Sequence, residues 1–164
     1  MGLDMYLYAE KYVGGVTWSR DLDDSLEPEP NEQFDKVLDV LGAQNWGIDR
    51  FASASVSVQV GYWRKANAIH NWFVDGLAGG RDECQSIYVP RDSLRALQIT
   101  CELLLENKDV ALAKQVLPTQ AGFFFGSTEY DEWYWQSVQD TYDQMKRILE
   151  VIPEDVDFQY QASW

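Results

Sequence analysis

Residues 61–73 read GYWRKANAIHNWF, and the fold class turns on how this stretch is taken. Read as a helix at 3.6 residues per turn, it sets Tyr62, Ala66, Ile69 and Phe73 in one stripe facing a core. Trp63, Asn67 and His70 then line one shoulder of the stripe, Lys65 and Trp72 the other, and Arg64 points away. Just before it, residues 54–61 (ASVSVQVG) alternate strictly, with Val56, Val58 and Val60 on one face. That is the pattern of a half-buried strand. A strand running through Gly61 directly into a helix predicts an α+β domain.

Working outward, residues 5–13 (MYLYAEKYV) predict a first strand ended by Gly14 and Gly15. Residues 20–32 (RDLDDSLEPEPNE) predict an acidic loop, with Pro28 and Pro30 opposing regular structure. Phe34, Val37, Leu38 and Leu41 recur at helical spacing, and Gly42 closes that helix. Past the central stretch, residues 86–89 predict a short strand. Pro90 then introduces a helix with Leu94, Leu97, Cys101 and Leu104 inward, followed by a shorter one over 109–116. In 118–135 (PTQAGFFFGSTEYDEWYW), Gly122 and Gly126 bracket three phenylalanines, a length suited to a buried strand over 122–125. Thr128 and Asp131 have the spacing of a capping box that starts a long amphipathic helix ending at Ile152 and Pro153. Residues 156–163 predict the last strand. The expected whole is one domain over 1–164: a small mixed or antiparallel sheet packed by four or five helices.

Thirteen Lys and Arg against 27 Asp and Glu leave a formal charge of −14. Such a surface repels phosphate backbones, which argues against direct nucleic-acid binding. Two cysteines, Cys84 and Cys101, and no apolar run of membrane-spanning length predict free thiols, no membrane insertion and a cytoplasmic setting. One His and two scattered Cys do not make a zinc site, and no cofactor signature is present. Asp21, Asp23, Ser25 and Glu32 have calcium-loop spacing, but Leu26 stands where that loop needs glycine and Pro28 and Pro30 interrupt it. No metal is therefore expected.

The opening MGLDMYL, the stretches GYWRKANAIHNWF and LPTQAGFFFGSTEYDEWYW, and the final YQASW together resemble a family of small uncharacterised proteins of bacteriophage and bacterial genomes. The resemblance implies a phage accessory protein acting in the host cytoplasm.

The residues themselves favour a non-catalytic binder of a small, nucleotide-like ligand. Trp63, Asn67 and His70 would orient it, and Arg64 and Lys65 would meet its negative charge. Phe125, Gly126, Thr128, Tyr130 and Trp133 would close the opposite wall. Sequestering such a ligand would antagonise host defence signalling, an idea taken from the phage resemblance. A host protein and a second copy of the chain are further candidate partners. The alternative is an acidic protein-interaction inhibitor, a DNA mimic or the plug of a basic cleft, carried by residues 21–32 and 129–132. A third is hydrolysis, either of a small ligand by His70 with Cys84 or with Ser127 and Asp131, although no GxSxG signature accompanies them, or of a glycan by the carboxylates beside Trp133 and Trp135.

Overall fold

The computed structural model describes residues 2–20 and 25–164. In chain order these form β1 (Asp4–Gly14), β2 (Val16–Arg20), β3 (Leu26–Pro30), α1 (Glu32–Leu41), β4 (Ser53–Arg64) and α2 (Asn67–Ala78). There follow β5 (Ile87–Tyr88), α3 (Arg91–Asn107), α4 (Val110–Val116), α5 (Glu132–Val151) and β6 (Asp157–Ser163). The fold is α+β, with a four-stranded antiparallel sheet ordered β4-β1-β6-β5 and a two-stranded one, β2-β3. By contact the chain divides into two compact units, Met1–Ala9 with Val58–Trp164, and Glu10–Ser57.

In the larger unit the strands alternate as a one-sided sheet requires. Met5, Leu7 and Ala9 of β1 and Phe158, Tyr160 and Ala162 of β6 are buried. Against them pack Leu94, Leu97, Cys101 and Leu104 of α3 and Tyr134, Val138, Met145 and Ile148 of α5, in one continuous apolar cluster. The 3.6-residue spacing of those side chains is what made both helices legible.

The centre of the sequence folds differently from its helical reading. Gly61, Tyr62, Trp63 and Arg64 belong to β4, and the helix begins only at Asn67. Gly61 is not a corner between strand and helix. A Cβ there would stand 3.1 Å from Leu7 Cβ and 3.2 Å from Gln144 Oε1, so the glycine allows close packing inside the sheet. β4 is an edge strand, and α5 shields its backbone. Gln144 Oε1 accepts from the Tyr62 amide at 2.9 Å, its Nε2 donates to the Tyr62 carbonyl at 3.2 Å, and Arg147 donates to the Val60 carbonyl at 2.8 Å. These side chains occupy groups that would otherwise pair with a foreign strand.

Residues 122–125 are not a strand either. They form a turn in which Phe123 is 94% exposed and only Phe125 is buried. The cap of α5 is likewise displaced from Thr128 to Asp131, whose side chain accepts from the Trp133 and Tyr134 amides.

In the smaller unit, the expected loop over 20–32 contains β3. Its register with β2 pairs Trp18 with Pro28 and Val16 with Pro30. Residues two apart turn their amides the same way, so both prolines fit as non-hydrogen-bonded pairs and the ladder loses no donor. Gly15 is required: a Cβ would lie 2.4 Å from the Arg50 carbonyl oxygen. Asn31 caps α1 by accepting from the Gln33 amide and also donates to the Gly14 carbonyl at 2.8 Å. Of the calcium-loop spacing, Asp21 and Asp23 lie outside the described residues.

Two tests follow from the core. Trp63 is 4% exposed, and its indole donates to Thr141 Oγ1 at 2.9 Å. Thr141→Val strands that donor and is expected to cost about 1–3 kcal/mol, read as a lowered midpoint in urea unfolding. Burial also pushes the Cys101 thiol from 9.0 up to about 12. The unfolded thiol ionises first, so this contribution to stability is intact below pH 9 and declines as pH rises to about 12. Burial raises the Tyr134 and Tyr160 hydroxyls above their ordinary 10.0 and adds to the alkaline loss. Calorimetric melting across this range should give a shallower decline for Cys101→Ala than for the parent chain.

Candidate functional site

The passage from β4 into α2 is a two-residue corner, Lys65 and Ala66. Lys65 makes it with φ of 56°, a left-handed conformation that side-chain-bearing residues adopt at a cost. Its amide donates to the Leu3 carbonyl at 2.8 Å, which fixes the corner against the start of the chain. Ala66 then precedes α2 as an N-cap with no side-chain cap bond. The first-turn amides of Asn67, Ala68 and Ile69 are left without an intrahelical acceptor.

Residues 118–131 fold over this corner, held chiefly by Asn67. Its Nδ2 donates to the Phe125 carbonyl at 3.1 Å and the Ser127 carbonyl at 2.8 Å, while its Oδ1 accepts from the Gln120 amide at 3.1 Å. One buried side chain, 4% exposed, thereby satisfies three backbone groups of the loop. Glycines shape the rest. Gly122 lies so close to the Phe125 ring that a Cβ would stand 2.5 Å from it, and Gly126 turns with φ of 88° over Lys65. The Leu3 amide donates to the Phe124 carbonyl at 3.2 Å, and Thr119 Oγ1 donates to the Thr128 carbonyl at 3.0 Å.

Between corner, loop and the first turns of α5 lies a cavity of about 470 Å³. Arg64, Lys65, Asn67 and Ile69 line one side, Gly126, Ser127 and Glu129 another, and Asp131, Trp133 and Val138 a third. Two helix starts therefore border the same hollow. Asp131 neutralises that of α5, whereas that of α2 has no side-chain cap and follows two cations, Arg64 and Lys65. Trp133 is 79% exposed at the rim. Arg64 is 61% exposed, with its Nε 3.9 Å from Asp4 Oδ1, too loose a pair to immobilise it. The Asp4 oxygen is engaged more firmly by the Tyr62 hydroxyl, which donates at 2.6 Å. That bond holds the hydroxyl proton and raises the Tyr62 pKa.

Of the ten residues singled out in the sequence, Arg64, Lys65, Asn67, Gly126 and Trp133 line the cavity. Trp63, His70 and Phe125 do not, and all three are buried. His70 is fully enclosed: Nδ1 lies 2.7 Å from the Tyr160 hydroxyl and Nε2 2.9 Å from Asp82 Oδ2, with the Phe125 ring edge-on. With both nitrogens engaged, the arrangement of His70 with Ser127 and Asp131 is not formed. Asp131 Oδ1 is itself taken by the amides it caps, and Ser127 Oγ accepts from the Glu129 amide. Thr128 and Tyr130 support the loop from outside the cavity. The Thr128 carbonyl accepts from Thr119, while the Tyr130 hydroxyl accepts from the Thr119 amide and its ring packs on Tyr134. Ser127, considered in the sequence only as a nucleophile, lines the cavity too, as do Thr119 and Ser137, which sequence reading did not place there. The only advance signal for Thr119 and Ser137 was position in or just after residues 118–135.

Among the described residues no three His, Cys, Asp or Glu cluster to hold a metal ion, and no helix is long and apolar enough to cross a membrane. Both cysteines are free. No protein-family model, curated protein or solved structure matches the chain.

The Asn67 clamp is directly testable. Asn67→Ala removes three hydrogen bonds and leaves loop groups without partners, so stability should fall by about 3 kcal/mol at roughly 1 kcal/mol per bond. Hydrogen exchange at the Gln120 amide should accelerate while α3 stays protected. An unchanged Gln120 amide would mean that the loop is held by other contacts.

Proposed function

We propose that the chain binds a small nucleotide-like anion in the cavity between residues 64–69 and 126–138, and that it retains this ligand without converting it. One observation carries the reading: two motifs some sixty residues apart in sequence wall a single hollow of about 470 Å³. That volume lies in the range of small-molecule sites.

The chemistry of the walls supports an anion with a flat ring and hydroxyl groups. Arg64, Lys65 and the uncapped start of α2 suit a phosphate, in a protein whose formal net charge is −14. Trp133, exposed at the rim, offers a face on which a base can stack. Glu129 beside it offers an acceptor for ribose hydroxyls or an exocyclic amine. Held in this way, a ligand would be withdrawn from solution. Combined with the resemblance to phage proteins, sequestration of a nucleotide signal in antagonism of host defence is the purpose we assign.

Titration calorimetry with nucleoside monophosphates and cyclic dinucleotides tests the reading. The parent chain should bind at least one of them. Lys65→Gly is the most informative variant, because glycine accepts the left-handed corner at no steric cost while removing the cation. It should keep or raise the melting temperature yet weaken binding by about tenfold or more, the loss expected for one charge-assisted bond. Trp133→Ala should weaken binding by a similar factor, the stacking share. Silence across the whole panel, or affinity indifferent to both substitutions, would sink the proposal.

A further inference from the structure

The smaller unit carries a surface that the cavity does not involve. In the β2-β3 register, Trp18 opposes Pro28 and Arg20 opposes Leu26, while the intervening pairs are Thr17 with Glu29 and Ser19 with Glu27. Because side chains alternate across a ribbon, Trp18, Arg20, Pro28 and Leu26 share one face, mostly apolar, and Glu27 and Glu29 the other. The apolar face is open, with Trp18 59% exposed and Leu26 57%. Phe51, 55% exposed, extends it by stacking on Trp18 with ring centroids 6.4 Å apart. The Arg50 guanidinium sits over the Phe51 ring at 4.5 Å, so an aromatic face here already receives a cation. On the other face Glu29 accepts from Ser19 Oγ at 2.7 Å, and both glutamates are exposed.

We infer that this ribbon is a two-faced plug for a protein cleft of cationic character with an apolar wall, the glutamates meeting Lys or Arg and the Trp18-Phe51 face meeting the wall. Charge decides among the occupants. Residues 10–57 hold ten Asp and Glu against four Lys and Arg. A second copy carries the same excess of negative charge, and a nucleic acid or an anionic membrane surface would be repelled in the same way. A cationic protein surface is attracted, and burying two large aromatic rings supplies anchors of the kind that dominate interface energetics. The prolines of β3 offer no amide for strand addition, so recognition goes through side chains instead of through an added strand.

The experiment presents the full chain to a displayed library of random peptides and measures selected binders by fluorescence anisotropy. Selected sequences should combine Lys or Arg with apolar residues. Their affinity should fall by about tenfold or more on Trp18→Ser or Phe51→Ser. It should fall again on joint Glu27→Gln and Glu29→Gln substitution and on raising the salt. All four positions are exposed, so the variants should fold, and unchanged melting curves will verify it. Failure to select any binder, selection of neutral or acidic peptides, or affinity indifferent to the Trp18 and Phe51 changes overturns the inference. So does a dimer in sedimentation that Trp18→Ser dissolves, which would assign the face to a second copy. The Lys65→Gly variant should bind the same peptides as the parent chain, which separates this surface from the cavity.

Discussion

The amide side chain of Asn67 is the constraint on which the cavity depends. A carboxamide presents two donors and one acceptor in a fixed plane, and here the two carbonyls and one amide that it meets all belong to one loop. Those backbone groups would otherwise need a strand partner or water. With Asn67 supplying the bonds, residues 120–127 can leave the sheet and arch over the start of α2. This explains why a run of three phenylalanines, apolar enough for a buried strand, becomes a turn. The Phe124 carbonyl is claimed by Leu3 and the Phe125 carbonyl by Asn67, so an ordinary ladder has little left to use.

The corner beneath that loop carries a conformational cost that packing alone does not call for. A lysine at φ of 56° costs on the order of 1 kcal/mol over glycine, and its backbone requires nothing that glycine could not supply. Its neighbour Gly126, also left-handed, faces it closely, with a Cβ position 3.3 Å from Lys65 Cβ. Glycine was accepted on one side of the contact and lysine kept on the other. Cys84 and Lys108 also hold positive φ, at 56° and 47°, so what sets Lys65 apart is its place at the cavity edge.

The strands at 4–14 and 157–163, the first part of β4 and the helices α1, α3 and α5 were legible because their apolar residues repeat with the period of the element they form. What the sequence hid was decided by contacts between distant residues. The helical stripe through Tyr62 and Ala66 was an accident of spacing. Gly61 to Arg64 are strand because Gln144 and Arg147, some eighty residues later, occupy the edge of β4. Pro28 and Pro30 concealed β3 because a sequence shows that an amide is missing but not which way it would have pointed. Half of the candidate site was legible for a related reason. Residue type alone placed Arg64, Lys65 and Trp133 near a ligand-capable surface, but it could not separate them from Trp63, Phe125 and His70, whose chemistry is equally suited to binding.

What separates those two groups is whether their bonding capacity is already used. His70 has two ring nitrogens and two partners, Tyr160 and Asp82, and Asp82 in turn accepts from the Trp164 indole at 3.2 Å. Tyr160 stacks on Phe73 with centroids 4.1 Å apart, so the chain of contacts ties β6 and the final residue to α2. Each member is saturated, and a saturated buried network gains nothing from a ligand and loses a partner if one intrudes. At the cavity the position is reversed. Lys65 has no ion pair among the described residues, the Arg64 pair is long, and Trp133 leaves most of its surface in water. Unused capacity gathered around one hollow is what a binding site needs, and the buried histidine contributes by holding α2 and the strand behind it in place.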